Sequence, residues 1–481
     1  FDLDKVHKVL DWATHDITGV SISEIELKSN IQLYDGIEAD KIHELLIKSA
    51  SDLISEHTPN YQFVAARLVN YKLRKEVYGQ YEPLSLAEVI INNVSENVYD
   101  GDIMEKYDRD EIDQLDSYIK HDRDDKFTYV AMEQFRGKYL VQDRSTGKIY
   151  ETPQIAYMMI GATLFSEYPQ ETRIRYVKEF YDAVSNFYIS LPTPIMAGVR
   201  TPTRQFSSCV LIESGDTLDS INSTSSAVVR YISKKAGIGI SAGAIRAEGS
   251  KVGDGSVVHT GVIPFLKYFQ AAVKSCSQGG VRGGAATVYL PAWHLEFENL
   301  VVLKNNKGTE ENRVRHMDYA FQFNKLMYER LLTGGNITLF SPNEVPGLLE
   351  AFYADQDEFR KLYEKYERST SIRKKTIKAI DLFTQYLQER KDTGRIYLMN
   401  VDHANDHGAF DPKLAPIKQS NLCCEINLPT QPLQDINGEE GEISLCTLSA
   451  INWGLIDKPS DFEKYCGLAV RALDALLDYQ A

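Results

Sequence analysis

A short segment near residue 420 combines three residue types that can do chemistry together. Within residues 419–428, Asn421, Cys423 and Glu425 occupy every second position. If the segment is extended, their side chains point to one face, because side chains alternate along a strand. An amide, a thiol and a carboxyl on one face supply an orienting group, a sulfur centre and a proton-transfer group, with Cys424 on the opposite face. The alternative is that these cysteines are small buried hydrophobes.

Two further cysteines lie in strand-like apolar runs. Cys209 stands in Ser-Ser-Cys-Val-Leu-Ile and Cys446 in Ile-Ser-Leu-Cys-Thr-Leu-Ser, far apart in the sequence. If they meet in the fold, they form a redox pair, because a reversible dithiol and disulfide delivers two electrons to a substrate. The alternative is that both only fill the core. Cys466 differs, since it shares the apolar stripe of a helix with Ala469 and Leu473, and we expect it in the core.

Residues 274–287 form a glycine-rich loop, with four glycines and two basic residues in fourteen positions. Glycine permits positive φ and close backbone approach, so such a loop can cradle a nucleotide or change conformation. No Gly-Lys-Ser/Thr follows, which excludes a Walker A loop. Residues 236–243 miss the Gly-x-Gly-x-x-Gly spacing of dinucleotide-binding folds. A flexible surface turn is the alternative reading of the loop.

Histidines and aspartates at residues 402–407 do not predict a metal site. His403 and His407 stand at i and i+4, which on a helix would place both imidazoles on one face. The surrounding sequence indicates a loop instead. His316 and Asp318 are interpreted as structural polar residues. We therefore expect no metal ion.

Composition and charge exclude several classes of protein. Of 481 residues, 43% are hydrophobic and 25% charged, which is typical of globular proteins, and no long apolar run predicts a membrane span. The net charge of -15 argues against nucleic acid or a membrane as partner. Six irregularly spaced cysteines fit a reducing, cytoplasmic setting. Because the chain begins with Phe1 and stops in an apparent helix, we expect a piece of a longer polypeptide.

The elements that must position these residues change character near Leu191. Residues 2–75 show helical periodicity, and Pro-rich turns at 191–204 mark a domain boundary. Beyond it, short apolar runs alternate with helical stretches, one of which covers residues 372–390. The apolar runs are residues 209–212, 238–240, 286–290, 337–340 and 395–399. This alternation predicts an α/β fold, either a barrel or a doubly wound sheet.

Several long stretches of the sequence resemble the large subunit of aerobic class I ribonucleotide reductases, in the family's own order. They are residues 190–209, 274–287, 315–319, 419–425 and 445–449. The resemblance implies an N-terminal helical ATP cone, a helical connector and a ten-stranded α/β barrel built from two antiparallel halves. On this basis residues 1–79 are a partial cone and residues 80–200 the connector. Residues 201–481 then hold the first half of the barrel and the start of the second.

The same resemblance implies a reaction and a role for each candidate residue. The reaction is reduction of ribonucleoside diphosphates to 2′-deoxyribonucleoside diphosphates. Cys423 would form the thiyl radical that removes the ribose 3′ hydrogen, Glu425 would take the 3′-hydroxyl proton, and Asn421 would hold the substrate. Cys209 and Cys446 would protonate the leaving 2′-hydroxyl and reduce the sugar. Three further residues would line the diphosphate site, namely Thr193, Ser208 and Gly237.

Two regulatory sites follow from the resemblance, for ATP, dATP and other deoxynucleoside triphosphates. The specificity site matches residues before the glycine-rich loop and within it: Asp216, Thr217, Leu218, Arg246, Ser277, Gln278 and Arg282. Gly253 departs from relatives that carry a second basic residue there, and Lys251 could substitute. The overall-activity site in the cone matches Lys5, His43 and Lys75, while Lys72 stands where some relatives have histidine.

The resemblance also implies partners. The radical would come from a metal-containing small (beta) subunit, the alpha chain would form a homodimer, and thioredoxin or glutaredoxin would restore the dithiol. No covalently bound cofactor is implied. The family's C-terminal phosphate-binding loop, tyrosine pair and tail cysteines do not occur in this sequence, so the chain by itself is expected to be inactive. Two alternatives stay open at this point: an adenosylcobalamin-dependent reductase, and a nucleotide-binding regulatory homologue without catalysis.

Overall fold

The computed structural model describes residues 3–30, 34, 36–278 and 282–480, with only the backbone described at Asn30, Ser277, Gln278 and Arg282. Internal contacts divide the chain into two compact units. The first unit contains Phe1–Phe206 and Leu448–Ala481, and the second contains Ser207–Thr447. Among the described residues, no helix is both long and apolar enough to cross a membrane.

The part of the first unit before residue 207 is mainly helical, which agrees with the helical periodicity of residues 2–75. Its helices are α1 (Leu3–Thr14), α2 (Ile22–Asn30), α3 (Ala39–Ser51), α4 (Tyr61–Tyr78), α5 (Leu86–Ser95), α6 (Asp102–Lys106), α7 (Arg109–Asp116), α8 (Tyr129–Gln134), α9 (Pro153–Leu164), α10 (Gln170–Ser185) and α11 (Thr193–Gly198). A two-residue strand, β1 (Ile189–Ser190), lies between α10 and α11. Two of these helices, α5 and α7, begin with reciprocal capping boxes, which satisfy amide groups that a helix start leaves unpaired.

Helix α9 is the centre of this unit. All of its residues from Pro153 to Leu164 are buried. A helix that is apolar on every side must be surrounded by other elements, because it has no face to turn to water. Helix α10 packs against α9 at Gly161, where a Cβ atom would be in van der Waals contact with the ring of Phe180 at 3.4 Å.

A fully buried ion pair fixes the chain that follows α11. The side chains of Arg200 and Glu151 have no exposed surface. Arg200 Nε donates to Glu151 at 2.9 Å, and its Nη1 donates to the carbonyl of Met196 at 2.8 Å. Tyr99 Oη and the amide of Val141 also donate to this carboxylate. Both charges are therefore compensated by several hydrogen bonds, which a buried pair needs if it is to be tolerated.

The second unit contains most of the strands. They are β2 (Cys209–Glu213), β3 (Gly237–Ser241), β4 (Lys251–Val252), β5 (Val257–Val258), β6 (Ser277–Gln278), β7 (Arg282–Gly283), β8 (Ala286–Pro291), β9 (Asp318–Phe323), β10 (Asn336–Phe340), β11 (Lys374–Lys378), β12 (Ile396–Asn400) and β13 (Ser444–Cys446). The helices between them are α12 (Leu218–Ser233), α13 (Val262–Lys274), α14 (Phe297–Leu300), α15 (Lys325–Leu332), α16 (Leu348–Ala354), α17 (Gln356–Arg368), α18 (Ala379–Thr393) and α19 (Val401–Asp406).

Six of these strands form one sheet in the order β12-β9-β8-β3-β2-β13. The first five are parallel to one another, and β13 runs antiparallel to β2. Every residue of β2, β3, β8 and β9 is buried, as in parallel sheets covered on both faces. This is the α/β architecture that the sequence predicts. A set of parallel strands followed by an antiparallel one also agrees with a barrel made of two opposed halves.

One predicted helix is partly wrong. Residues 374–378 form β11, which pairs antiparallel with β10 and brings Ile377 opposite Ile337, and the helix begins only at Ala379. Lys374 and Ile377 are partly buried and the other three residues of β11 are exposed, so this strand lies at the surface. A second difference concerns His403, which lies in the short helix α19 where a loop was expected.

The C-terminal segment belongs to the first unit. Its strand β14 (Ala450–Ile451) pairs with β1, and the helix α20 (Asp461–Gln480) follows. The buried residues of α20 include Leu468, Ala472 and Leu476. Cys466 is exposed, so its expected place in the core is wrong. The apolar stripe of α20 lies on a neighbouring face of the helix.

The buried ion pair generates a stability prediction. We expect Arg200→Met to lower the free energy of unfolding by about 3–5 kcal/mol, because the Glu151 carboxylate is left buried without its cation. Urea denaturation followed by circular dichroism measures this. As a matched control, Lys148→Met removes the cation of an exposed pair with Glu96 and should leave the curve unchanged. Equal effects of both changes would contradict the role given to Arg200.

Candidate active site

Cys209 and Cys446 face each other across two neighbouring strands. Cys209 begins β2, Cys446 ends β13, and the antiparallel register makes them direct partners. Opposed residues in antiparallel strands have Cα atoms about 4.5–5.5 Å apart, and disulfides span Cα separations of about 4.4–6.8 Å. Both residues are free cysteines. The two cysteines therefore meet, and they can cycle between dithiol and disulfide with little movement of either strand.

Both thiols are held in the protonated form. Burial raises the pKa of Cys209, and the nearby Glu425 carboxylate adds to the rise, while Asn421 and Ser208 oppose it. Burial also raises the pKa of Cys446 to about 11, with Cys209 and Glu425 adding to the effect. Cys209 Sγ donates to a Glu425 carboxylate oxygen at 3.8 Å. At neutral pH the pair therefore holds two transferable protons beside a carboxylate.

The segment that carries Cys423 is a turn and not an extended strand. An isolated antiparallel bridge joins Ser420 to Asn427, and the residues between them reverse direction. Asn421 Oδ1 accepts the amide of Glu425 at 3.1 Å, so the Asn421 side chain folds back and closes the turn. The expectation that Asn421, Cys423 and Glu425 share one strand face is therefore wrong. Local hydrogen bonding by asparagine competes with extended backbone in this way.

The two adjacent cysteines of the turn have different surroundings. Cys423 is exposed, whereas Cys424 is partly buried and packs against the core of the second unit. Cys424 has a φ of 63°, a left-handed conformation that costs free energy in a residue other than glycine. Burial raises the pKa of its thiol, and the Tyr289 hydroxyl beside it opposes the rise. The environment thus distinguishes Cys423 from its neighbour.

Glycines of β3 let the turn approach the sheet. A Cβ atom on Gly239 would lie 2.1 Å from the carbonyl oxygen of Ser420, and one on Gly237 would lie 2.5 Å from the side chain of Leu422. The backbone of Ser420 leaves no room for a side chain at Gly239, whereas a side chain at Gly237 would require Leu422 to shift. Gly237, expected to bind substrate, also donates its amide to the carbonyl of Ser208 at 2.8 Å.

The other strands hold the segment by polar side chains. From β8, Thr287 Oγ1 donates to the carbonyl of Leu422 at 2.6 Å, and Tyr289 Oη donates to the carbonyl of Asn421 at 2.6 Å. From β9, Gln322 Nε2 donates to the carbonyl of Lys418 at 2.7 Å. All three side chains are buried. These contacts pair backbone groups that an irregular segment cannot pair within itself.

A half-buried ion pair connects the start of the segment to β2. Lys418 Nζ donates to the Glu213 carboxylate at 2.8 Å, and Thr430 Oγ1 donates to the same carboxylate at 3.0 Å. Burial raises the pKa of Glu213, although Lys418 opposes the rise. Both ends of the segment are therefore tied to the strand on which Cys209 lies.

Sequence reasoning missed these supporting residues. Thr287 and Tyr289 are polar positions two apart in an otherwise apolar run, and Gln322 is similar in the next strand. Such hydroxyls and amides in a strand buried on both faces indicate a buried polar partner. These polar positions were visible in the sequence, but only the fold shows that they bind the backbone of the segment that carries Cys423.

The residues expected at the specificity site lie around the start of α12. Asp216 accepts from Arg246 Nε at 2.6 Å and from the Arg246 amide at 2.8 Å. Thr217 caps α12 by accepting the amide of Ser220, and Leu218 is exposed. The structure therefore brings these four expected residues together. The side chains of Ser277, Gln278 and Arg282 lie outside the described part of the chain, although their backbone forms the pair β6 and β7.

The residues expected at the overall-activity site share a cavity of about 450 Å³ in the first unit. Lys5 from α1, His43 from α3 and Lys75 from α4 all line it, together with Tyr71. Burial lowers the pKa of His43, and the Lys75 charge lowers it further. Lys75 Nζ stands 4.6 Å from the centre of the Tyr71 ring. The cavity offers positive charge and an aromatic face, which suits an anionic ligand with a planar group.

The surroundings of four remaining residues are simpler. Thr193 begins α11 in the first unit and is half-buried, and Ser208 directly precedes β2. His403 and His407 are exposed, with ring centres 5.6 Å apart. Within the part of the chain that the structure describes, no group of three or more histidine, cysteine or acidic residues could hold a metal ion.

Comparisons with known proteins agree with this geometry. Residues 207–481 match the family model described as the barrel domain of ribonucleotide reductase, and residues 125–204 match the one described as its all-alpha domain. The chain is 60% identical to the ribonucleoside-diphosphate reductase subunit alpha of Haemophilus influenzae, over 100% of this chain and 63% of the relative.

Other relatives give the same result. Identity is 62% with the ribonucleoside-diphosphate reductase 1 subunit alpha of Escherichia coli, over 90% of this chain and 57% of the relative. It is 54% with the ribonucleoside-diphosphate reductase subunit alpha of Enterobacteria phage T4, over 100% of this chain and 63% of the relative. The chain thus spans less than two thirds of the length of these curated relatives. It belongs to the family of class I ribonucleotide reductase large subunits.

Proposed function

We propose that this chain carries the reducing site of a ribonucleoside-diphosphate reductase, which converts ribonucleoside diphosphates to 2′-deoxyribonucleoside diphosphates. The observation that carries the proposal is the direct opposition of Cys209 and Cys446, with the Glu425 carboxylate at 3.8 Å from one of the sulfurs. The turn that holds Cys423 is part of the same segment as Glu425. The names of the relatives support the substrate class.

The proposed reaction balances with the groups at the site. A thiyl radical at Cys423 takes the 3′ hydrogen atom of the ribose, and Glu425 accepts the 3′-hydroxyl proton. The 2′-hydroxyl then leaves as water with a proton from the Cys209 and Cys446 pair. Two electrons and two protons pass from the two thiols to the sugar and the leaving group, and the cysteines end as a disulfide. Glu425 returns its proton to the 3′ oxygen, and Cys423 regains its radical when the 3′ hydrogen returns.

The protonated state of the two thiols supports this role. A proton donor must still hold its proton at the working pH, and the raised pKa values of Cys209 and Cys446 keep both thiols neutral. For substrate binding we propose Asn421 and Glu425 at the sugar. Diphosphate binding by Thr193, Ser208 and Gly237 is proposed from the family resemblance.

Regulation by nucleotides is proposed at two places. The cavity with Lys5, His43 and Lys75 supports binding of ATP or dATP as overall effectors. The group at the start of α12, with Asp216, Thr217, Leu218 and Arg246, supports binding of effector triphosphates that set substrate choice. We propose that Ser277, Gln278 and Arg282 pass this signal to the substrate.

The remaining parts of the proposal concern assembly. A small beta subunit that contains a metal supplies the radical, by one-electron oxidation of the Cys423 thiol. An alpha homodimer in the cytoplasm and re-reduction by thioredoxin or glutaredoxin complete the cycle. We also propose the domain division inferred above, with residues 1–79 as a partial ATP cone, 80–200 as the connector and 201–481 as barrel.

The central prediction concerns Cys423. In the polypeptide encoded by the complete reading frame, with its small subunit, ATP and dithiothreitol, we expect Cys423→Ser to abolish CDP reduction, because serine cannot form a comparable radical. Cys424→Ser should keep measurable activity. Product is quantified as dCDP by chromatography.

Three other outcomes would contradict this prediction. Activity in Cys423→Ser would assign the chemistry to another group. If the unaltered protein bound effectors but formed no dCDP, the regulatory alternative would be favoured. Activity that requires adenosylcobalamin, and no small subunit, would favour the other reductase class.

A second prediction concerns the protonation of Cys446. Thiolates react with iodoacetamide and thiols do not, so the reaction rate follows the thiolate fraction. With a pKa of about 11, the rate at Cys446 should rise about tenfold per pH unit through pH 9 and reach half of its maximum near pH 11. Mass spectrometry of the peptide that contains Cys446 gives the rate. A half-maximal rate near about pH 8.5, as for a free thiol, would contradict the assignment.

A third prediction concerns the space beside Gly239. Gly239→Ala places a methyl group against the backbone of Ser420, which has no room to move past the strand. We expect CDP reduction to fall by about 100-fold or more, since displacements of about 1 Å cost that much. Gly467→Ala in α20, where a Cβ atom meets nothing within 4 Å, is the matched control and should be fully active. Normal activity of Gly239→Ala would show that the close approach is not required.

A further inference from the structure

The central strand of the large sheet presents two buried hydroxyl groups to the turn. Thr287 and Tyr289 lie two positions apart in β8, and neither side chain is exposed to solvent. Strand β8 lies between β3 and β9 and pairs with both of them in parallel. A strand paired on both edges is a rigid support. Hydroxyls buried in such a place cost free energy unless they find partners, and here both partners are carbonyl groups of the turn.

The two accepting carbonyls are consecutive and lead directly to Cys423. Tyr289 Oη donates to the carbonyl of Asn421, and Thr287 Oγ1 donates to the carbonyl of Leu422, each at 2.6 Å. The carbonyl of Leu422 belongs to the peptide bond whose nitrogen is that of Cys423. Because a peptide group is planar, fixing its oxygen fixes the direction in which the chain enters Cys423.

Asn421, whose carbonyl accepts from Tyr289, also holds the backbone that follows Cys423. Its Oδ1 accepts the amide of Glu425 at 3.1 Å and that of Ile426 at 3.3 Å. Since Tyr289 holds the backbone of Asn421, both sides of the turn depend on β8. Cys423 stands between these anchored points with an exposed side chain.

We propose that Thr287 and Tyr289 are positioning residues, which hold the Cys423 sulfur where hydrogen transfer to and from the ribose takes place. This inference rests on the function proposed above and deepens it. Neither hydroxyl reaches the reacting atoms, so both act through the backbone of the turn. Hydrogen-atom transfer depends steeply on the distance between donor and acceptor. A small shift of the sulfur therefore slows the chemical step and leaves substrate binding nearly intact.

A purely structural role for the hydroxyls makes a different prediction. Hydroxyls that merely fill the core would affect stability in the same way as other buried hydroxyls of the protein. Two such groups serve as matched controls. Thr163 donates to the carbonyl of Met159 at 2.8 Å, and Tyr363 donates to the carbonyl of Thr338 at 2.8 Å, both away from the turn.

The test compares Thr287→Val, Thr287→Ser and Tyr289→Phe with the controls Thr163→Val and Tyr363→Phe, in the product of the complete reading frame with its small subunit. For CDP reduction we expect kcat to fall about 10-fold to 100-fold in Thr287→Val and Tyr289→Phe, with KM within about twofold of the original. Thr287→Ser, which retains the hydroxyl, should recover most of the lost kcat. Both controls should retain kcat.

Amide hydrogen exchange of residues 421–426 is a second readout that needs no turnover. Exchange should be faster in Thr287→Val and Tyr289→Phe and unchanged in Thr287→Ser and the controls. Unchanged kcat and unchanged exchange in Thr287→Val would overturn the positioning role while leaving the proposed function intact. Equal losses of kcat in Thr287→Val and Thr287→Ser would overturn it too. If the unaltered protein reduced no CDP, the proposed function would fail, and exchange alone would show whether β8 holds the turn.

Discussion

The segment from Lys418 to Leu422 runs among buried strand residues, where its backbone carbonyls must find partners. A buried group left unpaired costs about 1–3 kcal/mol, and an irregular segment cannot supply the partners from its own backbone. Strand β8 supplies two hydroxyls and β9 supplies an amide. The glycines of β3 leave space for the segment, and a carboxylate of β2 binds the side chains of Lys418 and Thr430. Much of the polar chemistry on this face of the sheet is explained by that requirement.

Electrostatics at the site follows from the same burial. Cys209 is buried and Cys446 partly buried, and burial makes ionisation of both opposed thiols unfavourable. The Glu425 carboxylate beside Cys209 strengthens this effect, because a negative neighbour disfavours a second negative charge. In the proposed function the two thiols give up protons and electrons, and the raised pKa values keep both thiols protonated at neutral pH. The exposed Cys423 lies outside this environment.

The strands were predictable because a sheet covered on both faces requires unbroken apolar runs, and the runs at residues 209–212 and 286–290 have that pattern. The turn at Cys423 could not be predicted, because its shape depends on Thr287 and Gly239, which are more than a hundred residues away in sequence. Local alternation suggested an extended segment, and Asn421 overrides it by bonding to the amides that follow. The strand β11 was missed because its lysines suit a helix as well as a strand edge.

The sequence was less informative about which candidate residues lie together in the fold. Spacing alone left open whether Cys209 and Cys446 meet, and only the resemblance to a family joined them before the fold was known. The exposed position of Cys466 shows the limit of helical periodicity, because two neighbouring faces of α20 carry apolar residues and only packing selects the buried one. Residues around the start of α12 came together as expected, since a cap and an adjacent ion pair are set by short-range geometry.

The antiparallel pairing of β13 with β2 links the two ends of the second unit. A disulfide between Cys209 and Cys446 would close a covalent loop of more than two hundred residues, which contains the whole of the parallel sheet. In the chain-entropy model a cross-link of that size stabilises the folded state by about 5 kcal/mol. In the proposed function each turnover would convert this unit from the dithiol form to the cross-linked disulfide form, so the oxidised protein would be more stable than the reduced one. Resistance to proteolysis would report the redox state of the site.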